Sequence, residues 1–327
     1  MDTFLPLRRS ICWIALLGAW ALTAMPKVTA QPNSSADRTP SSLTFPILVR
    51  NDKIYVQMKT SIGRFFLLID SGTERTLIFR QSVPRTYLNL EPFRTRLFGI
   101  GDSSRVVTIG QMPLAIDLPP WSSFHTLALL GDPLPVDAGP YDGILGLDFF
   151  RAYCVLLDRG ALRMQIFPVG QCAANTETWT TVHVDWTRHA ILVPLRVQFT
   201  QTQSEARTEA ILDTGANLPL LLSNQYRQAA GLKVKHHYKT GTVKTYGANG
   251  VVRADVVPGA QYRLGNSTIL ITTRVAVARG RLHPKAGIFA NKALRFQSVL
   301  GNEVLSLVAI KFDALHRCIY LQVPKLN

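Results

Sequence analysis

The chain has 327 residues, 47% hydrophobic and 17% charged, which is apolar enough for one large or two medium cores and excludes a disordered chain. The formal net charge of +15 favours anionic surroundings. No recognised RNA- or DNA-binding module accompanies it, so the excess reads as a solvated basic exterior and no nucleic-acid partner is expected. Nineteen prolines, 22 glycines and many Val, Thr, Ile and Leu runs point to an all-β chain, mainly strands with short helices.

Residues 1–30 read as an export signal. Arg8 and Arg9 form a basic start, Ile11 to Met25 is apolar, and Val28-Thr29-Ala30 offers a small-residue cleavage site. The apolar stretch is short for a membrane span, which favours cleavage and a secreted or periplasmic protein. Left uncut, the same segment is a single N-terminal membrane anchor. Cleavage removes Arg8, Arg9, Lys27 and Asp2 and leaves a net charge of +13. Residues 31–44, rich in Ser, Pro and Thr, read as a flexible leader.

From Phe45 the chain runs through one plan twice. Each half opens with extended segments: Pro46–Val49 and Lys53–Val56, then Ala190–Val193 and Leu195–Val197. An apolar strand follows and delivers an acidic Gly turn, Asp70-Ser71-Gly72 in the first half and Asp213-Thr214-Gly215 in the second. A carboxylate at the end of a buried strand is costly unless something uses it. Closely spaced glycines come next and read as hairpin tips: Phe98-Gly99-Ile100-Gly101, and Tyr246-Gly247 through Gly250. Each half closes on two apolar residues and a glycine, Ile144-Leu145-Gly146 and Val299-Leu300-Gly301. Twelve residues past each glycine stands an Asp at the end of an apolar strand, Asp158 and Asp313. The stretches between, Leu147 to Tyr153 and Asn302 to Val308, are expected as short helices. Asp142, Asp148, Asp158 and Asp313 read as local hydrogen-bonding or turn residues. Residues 45–168 are thus one lobe, 169–182 a linker and 183–327 a second lobe.

These doubled motifs, in the same order once per half, resemble the pepsin-like aspartic proteases, with retropepsin-like features in the second lobe. The resemblance covers roughly residues 45–325 and implies a two-lobed, pseudo-twofold β-barrel fold in a single-chain monomer. It implies that Asp70 and Asp213 are the catalytic pair, facing each other across a cleft. Ser71 and Thr214 would bond across to the opposite turn, and Gly72 and Gly215 would let the backbones approach. Gly146 and Gly301 would pass beneath the turns and support them. The implied activity is hydrolysis of peptide or protein substrates, with no cofactor and no metal.

The chemistry also follows from the residues themselves. Two carboxylates a few ångströms apart cannot both ionise cheaply, so they share one proton. The ionised one takes a proton from water while the protonated one polarises a carbonyl, with no covalent intermediate. Two departures from the family pattern stand out. Thr73 offers a hydroxyl next to Asp70, but Ala216 offers none to Asp213, which predicts Asp70 as the more readily ionised partner. The first-half flap has Phe98 and Gly99 where the family carries a tyrosine, and Tyr246-Gly247 falls in the second half. Either the second lobe supplies the main flap or both lobes supply short ones.

Other chemistries find little support. There is no HExxH and no GxSxG, and Gly99-Ile100-Gly101 lacks the third glycine of a dinucleotide loop. The densest basic cluster, Lys233, Lys235, His236, His237, Lys239 and Lys244, reads as an exposed strand face. Beyond the signal the cysteines are Cys154, Cys172 and Cys318. Export permits one disulfide, and Cys154–Cys172 is the most local of the open pairings. The alternative to a protease is a catalytically silent two-lobed binding protein of the same shape.

Overall fold

The computed structural model describes residues 41–88, 92–97, 105–133, 140–172, 178–199, 205–223, 241–247, 250–267, 269–279 and 298–323. The export signal, most of the leader, the flap candidates Phe98 and Gly99, and the cluster from Lys233 to Lys239 lie outside these residues. Leu43 and Thr44, expected in the flexible leader, begin the first strand, Leu43–Arg50.

The protein is mainly β and has the two-lobed aspartic-protease fold. In the first half the strands lie side by side in the order Leu43–Arg50, Lys53–Thr60, Gly63–Ile69, Gly143–Leu145, Leu77–Phe79, Phe124–Gly131, Arg105–Ile116 and Phe93–Leu97. In the second half the order is Asp185–Trp186, Ile191–Phe199, Glu205–Leu212, Ser298–Leu300, Leu220–Leu222, Leu270–Ala278, Gly250–Leu264 and Gly241–Gly247. Position by position these are the same arrangement, so the repeated motifs are a repeated fold. Each sheet curls back on itself, by Thr60 against Ile116 in the first half and by Leu195–Phe199 against Ala260–Leu264 in the second. The segments Ala190–Val193 and Leu195–Val197, read separately from the sequence, form one strand through Pro194. Pro194 is exposed, and the strand alternates, with Ile191, Val193, Leu195, Val197 and Phe199 buried and the residues between half-buried or exposed. Leu67, Leu68 and Ile69 are instead buried without alternation, because that strand is covered on both faces.

A third group of strands joins the halves. Thr180–His183, Cys318–Gln322, Ala309–Asp313, Cys154–Asp158, Arg163–Phe167 and Leu43–Arg50 form a continuous antiparallel row. The linker expected over 169–182 therefore ends at Thr180, where pairing with Leu321 begins. The equal spacing of Asp158 and Asp313 acquires a structural reason here. Their strands pair with each other, Val155 opposite Phe312, Leu156 opposite Lys311 and Leu157 opposite Ile310. Leu156 and Lys311 each stand ten residues past their glycine, so they are equivalent positions and the pseudo-twofold axis runs between them. Asp158 and Asp313 then close equivalent turns, accepting from the N–H of Ala161 at 3.0 Å and of His316 at 3.1 Å.

Lys311 is only 4% exposed. Its ammonium lies 5.0 Å from the ring centre of Trp179, 5.3 Å from that of Phe167 and 5.8 Å from that of Tyr320, and donates to the Cys172 carbonyl at 3.1 Å. Aromatic faces and one carbonyl replace water around the charge, and burial still lowers its pKa. Cys154 and Cys172 are joined by a disulfide beside this cage, with Cα atoms 5.5 Å apart. Cys318 is a buried free thiol packed in the same cluster.

Candidate active site

Two parallel strand pairs build the site. Gly63–Ile69 runs parallel to Gly143–Leu145, and Glu205–Leu212 runs parallel to Ser298–Leu300. Each apolar-apolar-Gly segment therefore lies beside the strand that ends in an acidic turn. The Asp70 N–H donates to the Leu145 carbonyl at 3.1 Å, and the Asp213 N–H donates to the Leu300 carbonyl at 3.0 Å. The glycines that follow have no room for a side chain. A Cβ on Gly146 would fall 2.4 Å from the Arg75 carbonyl carbon, and one on Gly301 would fall 2.5 Å from the Leu218 carbonyl oxygen. Both obstacles are backbone, so neither site can relax by moving a rotamer.

The two turns lock together through buried hydroxyls. The Ser71 hydroxyl donates to the Leu212 carbonyl at 2.8 Å and accepts from the Thr214 N–H at 3.1 Å. The Thr214 hydroxyl donates to the Ile69 carbonyl at 3.1 Å and accepts from the Ser71 N–H at 2.9 Å. Each hydroxyl thus satisfies one donor and one acceptor of the opposite half, and none of the four backbone groups is left bare.

This lock brings Asp70 and Asp213 together. A Cβ added to Gly72 would lie 2.5 Å from the Asp213 carboxyl carbon, and one added to Gly215 would lie 2.4 Å from that of Asp70. Each glycine is the surface on which the opposite carboxyl rests, which places the two carboxyls side by side. Their surroundings differ. Asp70 accepts from the N–H of Gly72 at 2.8 Å, the N–H of Thr73 at 3.1 Å and the Thr73 hydroxyl at 2.7 Å. Asp213 accepts from the N–H of Gly215 at 2.9 Å and from the Ala216 backbone, with no hydroxyl. Burial raises the pKa of both. For Asp70 the Thr73 hydroxyl, the Gly72 N–H, the Asp213 carboxyl and the Lys53 ammonium pull the other way. For Asp213 burial is reinforced by the negative charge of Asp70, and its pKa is held well above the usual carboxylate range. The extra donors at Asp70 favour its ionised form, while the charge of Asp70 favours the protonated form at Asp213.

Four residues have supporting roles that the sequence reading did not assign. Asp148, taken for a local hydrogen-bonding residue, reaches across the lobe: it accepts from the Thr76 N–H at 2.9 Å, the Thr76 hydroxyl at 2.8 Å and the Thr126 hydroxyl at 2.8 Å. Asp142 likewise accepts from the N–H of Phe66 at 2.8 Å, in the strand that carries Asp70. Asn302 sits at the start of the short helix Asn302–Leu305 and donates its side-chain amide to the Thr214 carbonyl. Glu74, almost fully buried at the end of the first acidic turn, pairs with His189 of the second half at 2.7 Å. Position relative to the glycine motifs could have flagged Asp148 and Asn302. Nothing in the sequence links Glu74 to a histidine 115 residues away.

Tyr246 and Gly247 end the strand Gly241–Gly247, with Gly247 opposite Gly250 on the neighbouring strand. In the first half Leu97 pairs with Arg105, and Phe98 and Gly99 lie outside the described residues. Among the described residues no cluster of three or more His, Cys, Asp or Glu could hold a metal ion.

No family model matches the sequence, and no curated protein matches it. Among solved structures, basic 7S globulin from soybean is similar to this chain, with 10% identity over 86% of this chain and 95% of that chain and a TM-score of 0.51. At that identity the likeness establishes the fold alone.

Proposed function

We propose that this chain is an exported aspartic endopeptidase that hydrolyses peptide bonds with Asp70 and Asp213. The observation that carries the reading is the presence of both carboxyls on equivalent turns, each against the other turn's glycine, with unequal hydrogen bonding. Ionised Asp70 takes a proton from a water held between the pair. Protonated Asp213 donates to the substrate carbonyl oxygen as the water oxygen attacks the carbon. The result is a neutral gem-diol, and its collapse with protonation of the leaving nitrogen returns one proton to the pair. Export rests on the sequence of residues 1–30.

A second reading is a catalytically silent binding protein of the same fold. The comparison favours it, because the similar solved structure is named a globulin and not a protease. One assay separates the two: cleavage of an unstructured protein across about pH 3 to 7, with Asp70→Asn and Asp213→Asn as controls. An endopeptidase loses on the order of 10²–10⁴-fold in rate in each variant. Absence of cleavage at every pH, or cleavage unchanged in both variants, leaves the binding protein standing.

A further inference from the structure

The outer face of the second-half sheet carries an arrangement that neither the cleft nor the core requires. Arg196, on the strand Ile191–Phe199, stands directly opposite Arg207 on one side and directly opposite Arg263 on the other. Directly opposed residues on neighbouring strands project from the same face. Three guanidinium groups therefore lie in one row across three strands, about 4.8 Å apart at the backbone. Like charges placed directly opposite each other destabilise a sheet. Arg207 leans on Glu205 of its own strand at 3.6 Å, with its side chain 75% exposed. Among the described residues, no acidic group pairs with Arg196 or Arg263. Two residues along each strand the next row on the same face is Glu205, Gln198, Gln261 and Thr272, again in register.

We propose that this face binds a linear anionic polysaccharide laid across the strands. The repeat of a hexuronan is close to one strand spacing, so successive carboxylates meet successive arginines, which bind carboxylate through paired N–H donors. In the neighbouring row Glu205 is taken up by Arg207, and the amides of Gln198 and Gln261 and the hydroxyl of Thr272 suit sugar hydroxyls, which both donate and accept. A single-stranded nucleic acid would want aromatic side chains for its bases, and neither row contains one. An anionic bilayer would use the arginines but has no need of the amide row. The net charge of +15 adds long-range attraction for any polyanion, and the row adds spacing.

The test is binding of the purified chain to polygalacturonate at low salt, beside its fully methyl-esterified form, phosphatidylglycerol vesicles and single-stranded DNA. Two triple variants are compared with the parent. One carries Arg196→Gln, Arg207→Gln and Arg263→Gln. The other removes the same charge from the first half with Arg64→Gln, Arg85→Gln and Arg94→Gln. We expect the parent to bind polygalacturonate, to ignore the esterified form and to release on added salt. The row variant is expected to lose on the order of tenfold in affinity while the first-half variant stays near the parent. Arg196→Gln alone relieves the repulsion, so it keeps the fold if the triple variant does not, and it too must weaken binding. Equal losses in both triple variants would reduce the effect to net charge and overturn the proposal. So would a parent that does not bind polygalacturonate, or a row that serves vesicles or DNA more tightly.

Discussion

Thr73 and Ala216 occupy equivalent places after the two acidic turns, and the Thr73 hydroxyl 2.7 Å from Asp70 has no counterpart at Asp213. Activity in the proposed mechanism requires Asp70 ionised and Asp213 protonated, so the pH profile has an acid limb set by the first and a basic limb set by the second. Thr73→Ala removes a donor to ionised Asp70, raises its pKa and moves the acid limb of kcat/KM to higher pH. Ala216→Thr supplies a donor to Asp213, lowers its pKa and moves the basic limb to lower pH. Both variants narrow the profile, which a rate-versus-pH series reads directly. Stability follows the same groups. The folded pKa of Asp213 is raised, so the folded state holds a proton that the unfolded state has released. Stability is then full below the unfolded carboxyl value and is lost as pH rises through the folded one. Asp213→Asn carries no such penalty. It is expected to melt above the parent at about pH 7 and level with it at about pH 3, by thermal melts at both.

The paired motifs and their chain order marked the segments beside the acidic turns only through the resemblance they carry; at Gly146 and Gly301 the reason is that backbone packs on backbone and leaves no room for a side chain. The buttresses around them were not legible. Asp148 looks in the sequence like any acidic residue at a helix start, yet its carboxylate takes two hydroxyls and two N–H groups from three segments of the chain. Those partners lie 22 and 72 residues away, and no local pattern records a bond that only the closed barrel creates. Burial raises the pKa of Asp148 while those donors oppose it. Asp148→Ala strands several buried donors at once and is expected to cost about 3 kcal/mol, measured by denaturant melts. The strand that begins at Thr180, inside the expected linker, was illegible for a similar reason. Thr180–His183 is polar and alternating only weakly, and it becomes a strand because Cys318–Gln322 offers it an edge.

On the scale of the whole molecule the hydroxyl lock at the site, the Glu74–His189 pair and the shared sheet behind them hold the halves together. The Cys154–Cys172 disulfide ties the closing strand of the first half to the segment that leads into the second, closing a short loop across 18 positions. Reduction is expected to cost about 3 kcal/mol, seen as a lower melting temperature with dithiothreitol present, with the effect abolished in a Cys154→Ala/Cys172→Ala variant. The pairing of Leu156 with Lys311 carries a different consequence. Residues at a twofold axis meet their own equivalents, so two copies of the first half would set leucine on leucine, and two copies of the second would set lysine on lysine. The single aromatic cage of Trp179, Phe167 and Tyr320 shelters one ammonium, not two. The halves have become lock and key to each other: covalently one chain, they are by chemistry a heterodimer, and neither can stand in for its partner.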